Sequence, residues 1–151
     1  MSMKFRFYLG TSIRFGSDSL KKAQGEFAKL GRRALIMTGP TSGLKSGALP
    51  DAEEALKADG VEYQVFNRVE NNPSLENVTE AGKLAREFKA DFVIGIGGGS
   101  PLDAAKAAAV LAVNDMDPMD LFKNEFPVRP LPVVAVPTTA GTGSEVTPYS
   151  I

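Results

Sequence analysis

Gly97, Gly98, Gly99 and Ser100 stand between an apolar, β-branched run at residues 92–96 and an alanine-rich run at residues 104–109. Glycines place no Cβ between the backbone and an approaching ligand. Ser100 is positioned as a helix N-cap, Pro101 suits the first helical position, and Asp103 follows three residues after the cap. The first turn of a helix leaves backbone N–H groups unpaired, and the helix dipole adds partial positive charge there. Together these features suit an anion, above all a phosphate. Asp103 opposes that use unless it caps Ser100 or neighbouring N–H groups, or reaches a ligand hydroxyl. A tight, well-capped turn with no ligand accounts for the same residues. Gly95-x-Gly97-x-x-Ser100 approaches the dinucleotide fingerprint G-x-G-x-x-G, with serine in third place. The acid expected about 20 residues further on, at a strand tip, is missing. Asp115, Asp117 and Asp120 fall instead in a polar connector.

Two more stretches share this character. Thr38-Gly39-Pro40-Thr41-Ser42-Gly43 follows the apolar residues 34–37, and Pro137-Thr-Thr-Ala-Gly-Thr-Gly-Ser144 follows the apolar residues 131–136. One loop of glycine and hydroxyls is a turn. Three of them at equivalent strand ends read as one surface for a phosphate-bearing ligand, because parallel sheets bind ligands beyond the carboxyl ends of their strands.

The elements that must position these loops follow from periodicity. Residues 5–8 and 13–15 read as two short strands, an N-terminal β-hairpin around Gly10. Ser17 or Asp18 caps a predicted helix over residues 19–30, with Gly31 as its stop. A helix starting at Pro50 carries Asp51, Glu53 and Glu54 in its first turns and ends before Gly60. Val61, Tyr63 and Val65 alternate with polar residues as a strand with one wetter face. Asn71-Asn72-Pro73-Ser74 breaks the chain and caps a helix over residues 75–88. Leu75, Val78, Ala81, Leu84, Ala85 and Phe88 form its core stripe. Residues 114–130 are a connector with a short helical piece near Leu121, and residues 131–136 read as a buried strand. Strands alternating with helices predict an α/β fold: a Rossmann-like, mostly parallel sheet with helices on both faces.

Composition narrows the function. The 151 residues suffice for one domain with a core, at 43% hydrophobic and 23% charged residues. A net charge of −1 gives no electrostatic case for nucleic acid or an acidic membrane surface. No apolar run is long enough to span a bilayer, and Lys4 and Arg6 interrupt any secretory pattern, so a cytoplasmic location is expected. Histidine and cysteine are both absent. That argues against a triad, a thiolate or a transition-metal site within these residues.

In this sequence Gly97-Gly-Gly-Ser-Pro-Leu-Asp-Ala-Ala-Lys106, Asn72-Pro73-Ser74 with Asn77-Val78, and Pro137-Thr-Thr-Ala-Gly-Thr-Gly-Ser-Glu-Val-Thr147 occur in that family's order when set beside the iron-containing alcohol dehydrogenases. The chain resembles the cofactor-binding half of that family over essentially its whole length. The glycine loop alone is shared with glycerol dehydrogenases and dehydroquinate synthases, whereas the second and third motifs together are specific. The resemblance implies a nicotinamide cofactor and hydride transfer between it and an alcohol or aldehyde. It implies that Gly97, Gly98, Gly99, Ser100 and Asp103 line the pyrophosphate and nicotinamide ribose. Thr138, Thr139, Thr142 and Thr147 would line the adenine end and its approach, and Asn72 would sit near the nicotinamide. It also suggests a homodimer or larger species, paired through the strand at residues 5–8.

Two departures from the family pattern carry expectations of their own. Many members have an aspartate after the strand that here ends before Gly39, where it holds the ribose hydroxyls. This sequence has Gly39, then Thr41, Ser42 and Lys45, which implies NADP, with NAD also possible. Similar proteins bind iron through an aspartate and histidines in a helical domain, and this sequence reaches Ile151 without a histidine. The expectation is therefore a dinucleotide-binding domain over residues 1–151, with iron held only by a helical domain outside it. The chain alone is expected not to oxidise alcohols. Rival readings are a stand-alone nucleotide-binding or assembly module, and the cofactor domain of a dehydroquinate synthase-like or glycerol dehydrogenase-like relative.

Overall fold

The structure is a computed structural model that describes residues 10–123, 125–148 and 150. Its centre is a parallel four-stranded sheet in the order β2-β1-β3-β4. The strands are β1 (Arg33–Thr38), β2 (Glu62–Phe66), β3 (Phe92–Gly97) and β4 (Val133–Pro137). Between them run α1 (Ser42–Lys45), α2 (Ala48–Ala58), α3 (Leu75–Phe88) and α4 (Gly99–Val113). The chain steps from β1 outward to β2, then returns across β1 to β3. The order therefore reverses between β1 and β3, which is where a parallel sheet opens a crevice at its carboxyl edge.

Both faces of the two central strands are covered, so they read as unbroken apolar runs. Leu35, Met37 and Val93 pack against α3 and α4 with Val78, Ala81, Ala105 and Ala108. Ala34, Ile36, Phe92, Ile94 and Ile96 pack on the other side against α2 and Phe27. The Phe27 and Phe92 rings lie parallel with centroids 6.3 Å apart. Small residues set the layer spacing. A Cβ on Gly95 would stand 2.9 Å from Ala105 Cβ, and one on Gly82 would stand 2.7 Å from Leu111 Cβ. Alanine and glycine at these positions therefore let α4 sit close to both β3 and α3.

Several expectations are corrected here. The first arm of the N-terminal hairpin, residues 5–8, lies outside the described residues. Residues 13–15 are described and form no strand; Ile13 and Phe15 point outward at 62% and 101% exposure. The helix expected over residues 19–30 is two 3₁₀ turns, Lys21–Ala23 and Phe27–Lys29. Gly25 at φ +86° breaks it, and the Asp59 carboxylate accepts from the Gly25, Phe27 and Ala28 N–H groups at 2.6, 3.0 and 3.2 Å. A side chain 32 residues away from Phe27 thus takes donors that a continuous helix would have used. The helix α2 begins two residues before Pro50, behind Gly47 at φ +77°. Strand β4 is half-exposed rather than buried, because it is the sheet's edge among the described residues.

The helix α3 runs over the expected residues 75–88, with Ser74 Oγ accepting from Asn77 N at 3.2 Å. No helix among the described residues is long and apolar enough to cross a membrane.

Candidate functional site

The register of the sheet brings the three glycine and hydroxyl loops to one edge. Thr38 is level with Ile96, and Gly97 is level with Pro137. The loops that follow β1, β3 and β4 therefore leave the sheet side by side, flanking the crevice between β1 and β3.

The glycine turn begins at Gly97, φ +147°, where a Cβ would stand 2.6 Å from the Pro101 ring. A left-handed backbone and no spare volume both require glycine there. The N-cap of α4 is Gly98, and no side chain caps it. This corrects the expectation for Ser100, which lies inside the first turn. Its Oγ instead accepts from the Asn72 N–H at 3.2 Å. Asn72, in the left-handed region at φ +55°, is thereby tied to the mouth of the glycine turn. The same β2–α3 loop crosses the end of β1, where Val69 N donates to Thr38 O at 3.1 Å.

The loop after β4 lies over the glycine turn. Thr138 N donates to Gly97 O at 2.8 Å. A Cβ on Gly98 would stand 3.3 Å from Thr139 Oγ1, and one on Gly99 would stand 3.6 Å from Thr142 Cγ2. Thr139 and Thr142 thus form a wall beside the α4 N-terminus, with room for a ligand only because the facing residues are glycines. Thr147 is farther along α4, where its Oγ1 accepts from Lys106 Nζ at 3.4 Å. Across the crevice, Gly39 follows β1. Ser42 Oγ lies 3.4 Å from the buried Thr38 Oγ1, and a Cβ on Gly39 would approach Ser42 Oγ to 3.0 Å. Thr41 is exposed beside them.

Asp103 neither caps Ser100 nor faces the phosphate site as a bare charge. Its Oδ1 is 2.9 Å from Lys106 Nζ, and both side chains are only 15% exposed. Lys106 and Ser144 are the site residues that sequence reasoning missed. Asp103 and Lys106 have the i,i+3 spacing of a helical ion pair, which was a readable signal. The approach of Ser144, 38 residues from Lys106, had none.

Lys21, Glu26 and Lys123 have perturbed ionisation, and none belongs to these loops. The Asp51 carboxylate raises Lys21, Lys29 lowers Glu26, and the Asp120 carboxylate raises Lys123. Two surface hollows lie elsewhere: one of about 460 Å³ along residues 13–22, and one of about 410 Å³ by Arg32, Arg33 and Glu62. Neither is lined by the loop residues.

The residues fit a dinucleotide. An uncapped helix N-terminus, a glycine turn whose space a Cβ would fill, and threonine walls match a pyrophosphate and its ribose. They do not fit iron. No three His, Cys, Asp or Glu among the described residues could hold a metal ion.

The family model described as iron-containing alcohol dehydrogenase matches residues 10–151. An iron-containing alcohol dehydrogenase from Thermotoga maritima is 47% identical with a TM-score of 0.92, covering 98% of this chain and 42% of that one. The NADPH-dependent butanol dehydrogenase of Clostridium saccharobutylicum is 34% identical, over 97% of this chain and 38% of its own length. The sulfoacetaldehyde reductase of Bifidobacterium kashiwanohense, solved in complex with NAD+, is 32% identical with a TM-score of 0.81. The alignment covers 97% of this chain and 39% of that structure. The chain thus spans well under half the length of the curated relatives it matches, 39%, 36% and 37% for the first three.

Proposed function

The chain belongs to the iron-containing alcohol dehydrogenases, and from that membership we propose that its residues bind the enzyme's nicotinamide dinucleotide, NADP(H) in preference to NAD(H). The observation that carries this reading is the uncapped, glycine-built N-terminus of α4, walled by Thr139 and Thr142. Backbone N–H groups of residues 98–100 would take the pyrophosphate, with the α4 dipole behind them. Asp103 Oδ1 is held by Lys106; Oδ2 would accept from a ribose hydroxyl. Asn72, fixed through Ser100, would stand near the nicotinamide. The bound nicotinamide supplies hydride transfer with an alcohol or aldehyde. The work of this chain is to bind and orient it.

The NADP preference rests on the end of β1. An acid there accepts bonds from ribose hydroxyls and repels a 2′-phosphate. Gly39 carries neither charge nor Cβ, and Thr41, Ser42 and Lys45 follow as donors. Ser42 Oγ lies beside the space that Gly39 leaves open. One charge-assisted bond to phosphate is worth about 1.5–3 kcal/mol, which is about tenfold or more in affinity. The names of the relatives include one dependent on NADPH and one solved with NAD+, so the choice must be read from each chain's own residues.

Titration of NAD and NADP against the wild type and Gly39→Asp tests the reading. The new Cβ would also displace Ser42 Oγ, which it meets at 3.0 Å, so acid and lost hydroxyl act in the same direction. We expect tighter NADP binding to the wild type and a lost or reversed preference in the variant. Equal affinities in the wild type, or no change on adding the acid, would show that this loop does not read the 2′ position.

A further inference from the structure

A cluster of four side chains ties the loop after β4 to the flank of α4. Lys106 Nζ lies 2.9 Å from Asp103 Oδ1, 3.0 Å from Ser144 Oγ and 3.4 Å from Thr147 Oγ1. Ser144 Oγ in turn donates to the Asp103 carboxylate. Ser144 is 6% exposed, and the Lys106 and Asp103 side chains are 15% exposed, so the bonds among these three are partly shielded from water, whereas the bond to Thr147 is exposed. At its start the loop is also tied to β3, where Thr138 N donates to Gly97 O at 2.8 Å. Gly141 and Gly143 have left-handed backbones, and the residues between the end of β4 and Ser144 are mostly exposed. Ser144 N donates to Thr142 Oγ1 at 3.4 Å, so the clasp reaches the threonine wall through a single hydrogen bond.

We propose that Lys106 is a positioning residue: anchored on Asp103, it clasps Ser144 and Thr147 so that Thr139 and Thr142 stay aligned over Gly98 and Gly99. The ammonium is suited to this task. It has three donors and no acceptor, and Asp103, Ser144 and Thr147 supply oxygens from two segments of chain. A glycine-rich loop has many conformations to lose, and a shielded charge-assisted contact at its far end limits them before any ligand arrives. Lys106 touches neither the pyrophosphate nor the reacting atoms in this account. It acts through the loop, and the role rests on the dinucleotide reading of the site.

The test uses Lys106→Met, Lys106→Arg and Ser144→Ala. Dinucleotide affinity is measured by titration calorimetry with NADP and NAD, and loop order by amide hydrogen exchange. Lys106→Met should weaken the preferred dinucleotide about tenfold or more and speed exchange at residues 138–147, leaving residues 92–97 unchanged. Lys106→Arg should recover most of the affinity and protection. Ser144→Ala keeps the Asp103–Lys106 pair, so it should weaken binding only if loop anchoring matters, and we expect a loss of several-fold. Normal affinity in Lys106→Met would overturn the proposal. So would a Lys106→Met defect paired with a silent Ser144→Ala, since that pattern means charge balance alone. A wild type that binds neither dinucleotide would overturn the cofactor reading and the positioning role with it. The exchange data would then still show whether the clasp itself exists.

Discussion

Two glycines only three residues apart should respond oppositely to the same added methyl group. In Gly95→Ala the new Cβ meets Ala105 Cβ at 2.9 Å, Pro101 O at 3.0 Å and Leu102 Cα at 3.2 Å. Carbon contacts are comfortable at about 3.5–4.0 Å, so α4 must lift from β3 by roughly half an ångström or more. Overpacking of this kind costs about 1–3 kcal/mol. At about 2–4 °C per kcal/mol for a chain of this size, the melting midpoint should fall by about 2–12 °C. In Gly98→Ala the backbone has φ −81°, and the nearest atom is the Thr139 hydroxyl at 3.3 Å. The exposed Thr139 side chain need yield by only a few tenths of an ångström, so stability should change by no more than about 0.5 kcal/mol. The methyl group occupies the space through which a phosphate reaches the α4 N–H groups. Loss of one charge-assisted bond, about 1.5–3 kcal/mol, should weaken NADP by about tenfold or more. Thermal melts followed by circular dichroism and calorimetric titration with NADP read the two effects separately. An unchanged midpoint in Gly95→Ala would refute the packing argument. Wild-type affinity in Gly98→Ala would refute the phosphate site.

Other expectations concern the scaffold. Arg86 donates from α3 to the Leu111, Ala112 and Asn114 carbonyls at 2.6, 3.3 and 2.7 Å, closing the C-terminus of α4. Arg86→Met should therefore cost about 1–2 kcal/mol, read as a lower urea midpoint at constant m; an unmoved midpoint contradicts it. The hydrogen bond from Lys29 holds the exposed Glu26 carboxyl below its ordinary value of 4.5, helped by Arg14. A depressed acid adds stability above its unfolded value and loses it as pH falls through the folded one. The difference in melting midpoint between wild type and Glu26→Gln should be present at neutral pH and disappear as the carboxyl becomes protonated in acid; a difference that persists once the carboxyl is protonated rules this out.

What the sequence made legible was mostly local. The helix α3 carries its own cap in Ser74 and its own stripe, so both its ends could be read. Strands β1 and β3 are apolar runs closed by glycine and hydroxyl turns, and parallel pairing brings those turns to one edge. What was hidden depended on partners distant in sequence. Asp59 takes the donors that would have made residues 19–30 one helix. The N-cap of α4 is Gly98, and Ser100, inside the first turn, instead meets Asn72, 28 residues away. The Asp103–Lys106 pair was legible as an i,i+3 spacing on one helix, whereas the contact of Ser144 with Asp103, 41 residues away, was not. Strand β4 has the composition of a buried strand, and composition does not say which strand lies at an edge.

The central claim is that a dinucleotide lies along the carboxyl edge of the sheet. Amide chemical-shift mapping of the isotopically labelled chain during titration with NADP tests it most directly. The account predicts saturable shifts at Gly39, Ser42, residues 98–100 and residues 138–142, with smaller changes at the amino end of the sheet near Arg32. Shifts confined to the hollow along residues 13–22, or no saturable shift in the three loops, would contradict it.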